Sequence, residues 1–268
     1  MFKLIYRNLL LYYKSISNVF FSFLGMLISL VIYIFFLKNN LVDSLNNVPN
    51  AAKMVDTWMV AGLISIVAIT SPLSAFAQKV EDKDSKGLYD ILINSRFSLY
   101  KVNILYIFTA IIEGMISTII FSGICYAYLI SQYKYELTVD NLIIIILYIV
   151  CLVLFASSLF SIITLFINST SFSSLSAIVG TLAGFLSGSY IVIGSLPKTV
   201  QNILKYWPGF EIAGLLRNRL MPLSNNVPST VSKSLGVVKD NQSLISIFML
   251  IFAFFIIENI FIKLKKVL

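Results

Sequence analysis

Long apolar runs with at most one charged residue alternate with short polar segments along the whole chain. Six of these runs approach or exceed the length of about 20 residues that an α-helix needs to cross a bilayer. They predict membrane spans at residues 16–37, 57–78, 104–130, 142–167, 175–195 and 244–262. We therefore expect an all-α integral membrane protein with six transmembrane helices, in which residues 1–268 form one domain. No polar segment exceeds about 50 residues, so a separate globular domain is not expected.

The segment before the first run is basic and amphipathic. At about 100° per residue, Lys3, Arg7 and Lys14 fall on one helical face, and apolar and aromatic residues occupy the others. This pattern is typical of a helix that lies in the membrane interface, and it predicts an N-terminal elbow helix. The run that follows is too long for a signal-peptide core, so we expect it to be retained as the first span.

A charged stretch, residues 79–101, separates the second and third runs. Nine of its 23 residues are ionisable. Because charges are costly in hydrocarbon, the stretch predicts a water-exposed loop. Within it, Leu88, Ile91 and Leu92 follow Gly87 at helical spacing, which predicts a short amphipathic helix. This helix either lies on the lipid headgroups or docks into a soluble partner.

The long connection after the fifth run contains two further helical patterns. The first follows Pro197 and ends at Trp207 and Pro208, and the second begins at Glu211. Each pattern is too short to cross a bilayer, so each predicts a re-entrant or interfacial helix. Together they would form either an outer lid over a translocation path or an amphipathic hairpin on the surface.

Composition supports a membrane protein and narrows its chemistry. Hydrophobic residues make up 58% of the chain and charged residues 12%, against about 25% charged residues in ordinary soluble domains. Much of the net charge of +8 flanks the runs, where anionic lipid and topology explain it, so no nucleic-acid partner is expected. There is no histidine, and both cysteines lie in apolar runs, so neither a disulfide framework nor a metal site is predicted.

The distribution of basic residues predicts that both termini face the cytoplasm. With six spans, 11 of the 20 Lys and Arg residues fall on the N-terminal side of the membrane, and nine fall in the longer segments of the opposite side. This lower density on the opposite side favours an N-in, C-in topology. Trp58 and Trp207 would then lie at the outer interface, as in an aromatic belt.

Three stretches make the chain resemble the permease subunits of ABC-2-type transporters. They are residues 80–101 (VEDKDSKGLYDILINSRFSLYK), 180–197 (GTLAGFLSGSYIVIGSLP) and 198–221 (KTVQNILKYWPGFEIAGLLRNRLM). The elbow helix and the six spans fit the same family. Within it, the chain is most similar to drug-, antibiotic- and toxin-export permeases of Gram-positive bacteria.

The resemblance implies a division of labour between subunits. It implies a multi-pass permease of the bacterial cytoplasmic membrane, not itself an enzyme, that exports an amphipathic or apolar drug, antimicrobial peptide, toxin or lipid-like molecule. ATP and Mg²⁺ would bind a separate ABC ATP-binding subunit, and no cofactor is expected on this chain, which lacks the motif G-x-x-x-x-G-K-[ST]. A second permease, identical or paralogous, would pair with it in the lipid. The coupling helix would comprise Gly87, Leu88, Asp90, Ile91, Leu92 and Ser95.

Three further features lie within the runs. Gly180, Gly184 and Gly188 form G-x-x-x-G-x-x-x-G, which lets another backbone approach closely, either within the subunit or at a permease–permease seam. Glu113 lies about 14 Å into the third run and is either functional or a protonated helix–helix hydrogen-bonding group. Glu258 precedes a C-terminal lysine cluster, and we expect it to pair with those lysines at the interface.

Other function classes fit less well. An ion-coupled secondary transporter could use Glu113, but the chain shows no repeat between its halves and no matching pair of broken spans. An intramembrane enzyme would lack the usual general base. An ABC-2 permease that exports a cell-envelope polysaccharide is a further alternative.

Overall fold

The computed structural model describes residues 2–14, 16–45, 48–95, 97–221, 229–238 and 242–265. Within these ranges the chain is helical and has no β-strand. Six helical segments are long and apolar enough to cross a membrane, which confirms the predicted all-α class and the six candidate spans. The chain is therefore described below as a multi-pass membrane protein.

The helices follow one another with short connections. In chain order they are α1 (Phe2–Lys14), α2 (Ile16–Ile32), α3 (Lys38–Asp43), α4 (Ala51–Thr70), α5 (Leu73–Asp84), α6 (Gly87–Ser95), α7 (Leu99–Tyr133), α8 (Val139–Ile163), α9 (Ser169–Leu186), α10 (Lys198–Leu204), α11 (Pro208–Leu220), α12 (Ser229–Ser234) and α13 (Gln242–Lys265). We number α2–α3 as span 1, α4–α5 as span 2, and α7, α8, α9 and α13 as spans 3 to 6. The end of the bundle that carries α1 is called the near end, and the opposite end the far end.

Span 1 continues past its predicted end at residue 37. A π-helical turn, Tyr33–Leu37, joins α2 to α3, and the helix runs to Asp43. A polar extension of this kind is stable here because Lys38 forms an ion pair with Asp56 of span 2. The sequence pattern could not show this pairing, since the two residues belong to different helices.

Span 2 is longer than predicted and is kinked. It runs from Ala51 to Asp84 with a break at Ser71 and Pro72. Pro72 has no amide hydrogen and its ring crowds the preceding turn, which accounts for the break. Residues 79–84 are helical, so the expectation that the charged stretch begins as a water-exposed loop was wrong. The helix persists because the charged side chains there have partners on other helices, described below.

Span 5 ends earlier than its predicted limit at residue 195. Its helix stops at Leu186, and Gly188 beyond it has a φ of +64°. The amide of Ser189 donates to the Gly184 carbonyl at 3.0 Å, and this glycine-based termination is common at helix C-termini. Gly188 is therefore a helix-ending residue and not part of the helical face of span 5.

The helix α4 is the centre of the bundle. All side chains from residue 54 to residue 69 are buried, and the helix packs against α7, α8, α9 and α11. The 13-residue α11 is too short to cross a bilayer, yet most of its residues are buried between α4 and α8. Spans 1, 5 and 6 bury only a minority of their side chains, so they form the least covered surface of the bundle.

The two tryptophans do not form the predicted aromatic belt. Trp58 is 2% exposed, and its indole N–H donates to the Leu235 carbonyl at 2.9 Å. Trp207 packs edge-on against Phe155, with ring centroids 5.5 Å apart. The sequence prediction failed because it placed these rings by position along the chain, whereas α11 and residues 229–238 cover α4 at Trp58.

Candidate functional site

A cavity of about 530 Å³ lies beside the kink of span 2. Its volume falls in the range of about 300–1,000 Å³ that is typical of small-molecule sites. Spans 1, 2, 3 and 5 contribute to its wall, together with Tyr12 of α1. Hydroxyl groups come from Thr70, Ser71, Ser74, Ser117, Ser173 and Ser176, and apolar groups from Met26, Val67, Leu73 and Phe172. This mixed lining suits an amphipathic molecule.

Glu113 lies behind the wall of this cavity. Its side chain is 1% exposed, and the Ser74 hydroxyl lies 2.7 Å from one carboxylate oxygen. Ser74 itself lines the cavity, and so does Ser117, which is four residues from Glu113 on span 3. Ser74 therefore connects the predicted intramembrane carboxylate, Glu113, to the cavity.

A cluster of polar side chains joins span 1 to spans 2 and 3 at the far end; we call it the far-end clasp. Asp56 is fully buried and accepts hydrogen bonds from four groups. They are the hydroxyls of Tyr33 at 2.6 Å, Tyr128 at 2.9 Å and Tyr133 at 2.6 Å, and the ammonium of Lys38 at 2.7 Å. Tyr33 is presented by the π-helical turn, which indicates why this irregular turn is stable.

A second cluster, the near-end clasp, joins α1 to spans 2 and 3. Both terminal nitrogens of Arg7 donate to the Asp82 carboxylate, at 2.8 and 3.0 Å. Tyr106 donates to the same carboxylate, and Gln78 does so at 3.1 Å. The hydrogen bonds to Asp82 raise the pKa of the Arg7 guanidinium, so it stays charged. The elbow helix is thus held to the bundle by a bidentate ion pair.

The last turn of α5 also ties together the short link between spans 4 and 5. The Lys83 ammonium donates to the carbonyls of Thr164 and Ile167, at 3.1 and 2.6 Å. The Asp84 carboxylate accepts from the Ser169 amide at 2.6 Å. A cation thus lies at the C-terminal end of α8 and an anion at the N-terminal end of α9, the arrangement that helix dipoles favour.

The helix predicted for coupling is α6, and it runs from Gly87 to Ser95 as predicted. We expected its apolar face to be free to dock into a partner, and the structure shows this face turned toward the bundle. Leu88, Ile91 and Leu92 are half-buried, and Leu88 lines a small cavity between α5, α7 and α8. The exposed apolar side chains are Tyr89 at 63% and Ile93 at 56% exposure, beside the exposed Asp90. The amphipathic face therefore packs on the chain's own spans.

The backbone that leads into α6 is also strained at one residue. Lys86 has a φ of 64°, whereas Gly87 does not have a positive φ. A β-carbon added at Gly87 would meet its nearest atoms at an ordinary distance of 3.5 Å. The glycine at the start of the coupling helix is thus not required by the turn. The side chain of Ser95 lies outside the described side chains.

Glu258 is buried inside the bundle. It is 3% exposed and accepts hydrogen bonds from Asn103 of span 3 and Ser161 of span 4. The Lys79 ammonium lies 3.5 Å from the same Ser161 hydroxyl. The structure does not describe the side chains of the C-terminal lysines, so their predicted pairing with Glu258 stays a prediction. Glu258 therefore belongs to a buried polar network that joins spans 2, 3, 4 and 6.

The three predicted seam glycines lie in three different environments. A β-carbon added at Gly180, which lines the cavity, would meet nothing within 4 Å. One added at Gly184 would lie 2.1 Å from the Tyr190 ring, and Gly188 lies beyond the helix. Gly184 therefore makes room for a ring of its own chain. A role for Gly180 or Gly184 at a permease–permease seam stays a prediction.

We expect Gly184→Ala to destabilise the protein and Gly180→Ala to leave it unchanged or slightly more stable. The added methyl at residue 184 must displace the Tyr190 ring, at a cost of about 1–3 kcal/mol. The methyl at residue 180 enters open space and restricts the unfolded chain. Thermal unfolding of both variants in one detergent tests this difference, and equal melting temperatures would contradict it.

The first outer helix begins after Pro197 as predicted, but it ends at Leu204, and the second begins three residues before its predicted start at Glu211. Pro197 is the N-cap of α10, and Pro208 is the first residue of α11, with Glu211 in its first turn. The surface-hairpin interpretation does not fit α11, since this helix is buried among the spans. The exposed apolar side chains of α10, including Ile203 at 66% exposure, fit a helix on the surface.

Arg217 holds α11 in this buried position. Its guanidinium is fully buried, donates to the carbonyls of Ser187 and Gly188 at 3.0 and 2.9 Å, and stacks over Trp58 at 5.3 Å. A cation at the C-terminal end of span 5 interacts favourably with the helix dipole. The arginine thus links α11 to spans 2 and 5 at the far end.

Sequence reasoning missed both clasps and Arg217. Asp56 and Asp82 were assigned to polar segments, because their partners are up to 77 residues away in sequence. Period-based analysis detects only contacts within one helix.

Comparison of the chain with protein-family models, with curated proteins and with solved structures finds no match.

Proposed function

We propose that this chain is the transmembrane permease subunit of an ATP-driven exporter of the ABC-2 type. The observation that supports this most is the cavity of about 530 Å³ at the kink of span 2. Broken membrane helices are tolerated where they line a cavity, and a lining of hydroxyl and apolar groups suits an amphipathic or apolar substrate. In this proposal the near end faces the cytoplasm, so both termini lie inside.

The geometry of α6 supports a role in coupling to a separate ATP-binding subunit. The helix follows α5 directly, and α5 carries the near-end clasp as well as Lys83 and Asp84. A push on α6 would therefore act on α1, span 2 and the link between spans 4 and 5 at the same time. The docking face in this proposal consists of Tyr89, Asp90 and Ile93. ATP and Mg²⁺ would bind the partner subunit.

The least buried spans support pairing with a second permease. Spans 1 and 5 flank the cavity and leave most of their side chains exposed. A second subunit against this surface would close the cavity from the lipid.

An ion-coupled secondary transporter is the second candidate, favoured by the contact of Glu113 with the cavity-lining Ser74. Transport driven by an ion gradient without any ATPase would support that candidate.

The docking face is tested by two charge substitutions on α6. Tyr89→Asp and Ile93→Asp should each lower co-purification with the ATP-binding subunit at least about tenfold, because a charge replaces an apolar contact worth about 1.5 kcal/mol or more. Tyr206→Asp is the matched control, since Tyr206 is 86% exposed and belongs to the connection between α10 and α11. The co-purifying protein is identified by its ATPase activity and by mass spectrometry.

Two results would contradict the proposed function. In the first, the wild-type chain purifies without any ATPase from cells that express its neighbouring genes. In the second, all three variants retain the ATPase equally, so that α6 takes no part in docking. Loss of the ATPase in the Tyr206→Asp variant as well would point to misfolding, and the melting temperature of each variant distinguishes that case.

A further inference from the structure

We infer that the cavity beside the kink of span 2 selects amphiphiles whose polar group donates hydrogen bonds and carries positive charge, such as primary alkylamines. This inference rests on the proposed function, since it names the substrate class for the same site. It is carried by the direction of the hydrogen bonds that four of the six Ser and Thr hydroxyls in the wall make, those of Thr70, Ser71, Ser173 and Ser176.

The hydroxyls on span 2 use their hydrogens within their own helix. Thr70 donates to the Ile66 carbonyl at 2.9 Å, and Ser71 donates to the Val67 carbonyl at 2.6 Å. A hydroxyl has one hydrogen and two acceptor lone pairs. With the hydrogen directed at the backbone, each oxygen presents only acceptor capacity to the cavity.

The hydroxyls on span 5 repeat this arrangement across the cavity. Ser173 donates to the Ser169 carbonyl at 3.0 Å, and Ser176 donates to the Phe172 carbonyl at 2.9 Å. Both serines line the cavity opposite the kink. Acceptors therefore converge from two spans, and a ligand group that offers several donors fits them best.

Charge favours the same ligand. None of the described residues that line the cavity is basic. Of the basic groups on α1 and span 2, Arg7 donates to Asp82, and Lys79 and Lys83 lie against oxygens at the end of span 4. Lys3 and Lys14 of α1 are exposed. Glu113 is the acidic group next to the wall, through Ser74. In a medium of low dielectric constant, a buried carboxylate attracts an ammonium group far more strongly than it does in water.

The apolar part of the wall accommodates the hydrocarbon tail of such a ligand. Met26, Val67, Leu73 and Phe172 lie among the hydroxyls. Burial of each methylene against them contributes about 0.8 kcal/mol. An alkylammonium thus satisfies both the acceptors and the apolar wall.

Gly180 provides a site for a reporter thiol. Gly180→Cys adds a side chain where nothing lies within 4 Å, and the residue lines the cavity. Gly123→Cys is the matched control, because its β-carbon also meets nothing within 4 Å and it lines a different, apolar cavity. The natural cysteines, Cys125 and Cys151, are buried and stay in place, and the chain without an added cysteine measures their background.

The experiment measures protection of these thiols by three C12 probes in the full chain, reconstituted in lipid nanodiscs. The reagent is methyl methanethiosulfonate, which is small and neutral, so it does not itself select for charge. The probes are dodecylamine, dodecyltrimethylammonium and dodecyl sulfate at equal occupancy of the bilayer. We expect dodecylamine to slow labelling of Gly180→Cys at least about fivefold more than dodecyl sulfate does, with dodecyltrimethylammonium between them. Labelling of Gly123→Cys should not discriminate among the probes.

The source of the selectivity is tested by removing acceptors. Ser74→Ala combined with Ser176→Ala should reduce the protection by dodecylamine at least about threefold. Ser122→Ala is the control, since this serine also donates within its own helix but lines the apolar cavity. Equal protection by all three probes, or preferential protection by dodecyl sulfate, would overturn the inference and leave the proposed function standing. Purification of the wild-type chain without any ATPase, or equal retention of the ATPase by the α6 variants and their control, would overturn the proposed function independently of the probes.

Discussion

Asp56→Ala is expected to lower the melting temperature of the protein by about 10 °C. The substitution removes the common acceptor of Lys38 and three tyrosine hydroxyls from a fully buried position. Removal of one partner from a buried ion pair typically costs about 3–5 kcal/mol, which corresponds to a shift of this size in a chain of this length. The loss should also detach span 1 from the bundle, because span 1 buries few other side chains.

A matched control and a double variant separate charge from volume. Asp43→Ala removes an exposed carboxylate at the far end and should shift the melting temperature by less than about 2 °C. Lys38→Met combined with Asp56→Leu replaces the pair with apolar groups, which is often close to neutral for buried pairs. The double variant should therefore recover part of the stability that Asp56→Ala loses, because no charge is left unpaired, whereas the buried Tyr33 hydroxyl still lacks its acceptor. Equal instability of the double and single variants would contradict the electrostatic explanation.

The sequence predicted those parts of the fold that depend on one helix at a time. The number of spans follows from the length of the apolar runs, and α6 begins at Gly87 and ends at Ser95 as its local pattern indicates. The start of α10 after Pro197 follows from the geometry of proline. Each of these features is decided by residues within about four positions of one another, which is the range that periodicity detects.

The parts that the sequence did not predict depend on contacts between distant residues. Residues 79–84 carry the high charge typical of a loop, yet they are helical because Asp82 accepts hydrogen bonds from Arg7 and Tyr106. Residues 38–43 are helical because Lys38 forms an ion pair with Asp56. The cavity was not predicted either, since its wall needs the kink at Pro72 to face Ser173 and Ser176 of span 5. Only the kink itself is a local signal.

The near-end clasp carries the second large expected effect. Asp82→Ala should increase hydrogen exchange of the α1 amides about 100-fold, because the bidentate pair with Arg7 and the bond from Tyr106 are lost together. An increase of this size corresponds to about 2.7 kcal/mol of local stability, which is below the cost of about 3–5 kcal/mol for a fully buried pair because Arg7 is 40% exposed. Exchange measured by mass spectrometry on the protein in nanodiscs reports on residues 2–14 directly.

Asp90→Ala is the control for this experiment, since it removes an exposed carboxylate from the neighbouring α6. It should leave exchange in α1 unchanged. Asp82→Asn should give an intermediate increase, because the amide keeps an acceptor for Tyr106 but loses the charge that holds Arg7. If α1 exchanges at the wild-type rate in the Asp82→Ala variant, the lipid interface and not the clasp holds this helix in place.

Release of α1 has a consequence for the cavity, because Tyr12 of this helix forms part of its wall. The Asp82→Ala variant should therefore expose the cavity, and a thiol at Gly180→Cys should react faster in this background than in the wild-type background. A thiol at Gly123→Cys, in the apolar cavity on the other side of span 2, should react at the same rate in both.

Asp82 lies at the end of α5 that leads into α6, so the same group ties the helix proposed for docking to the helix that covers the cavity. Faster labelling at residue 180 without any change in α1 exchange would show that the cavity opens by another route, through spans 1 and 5.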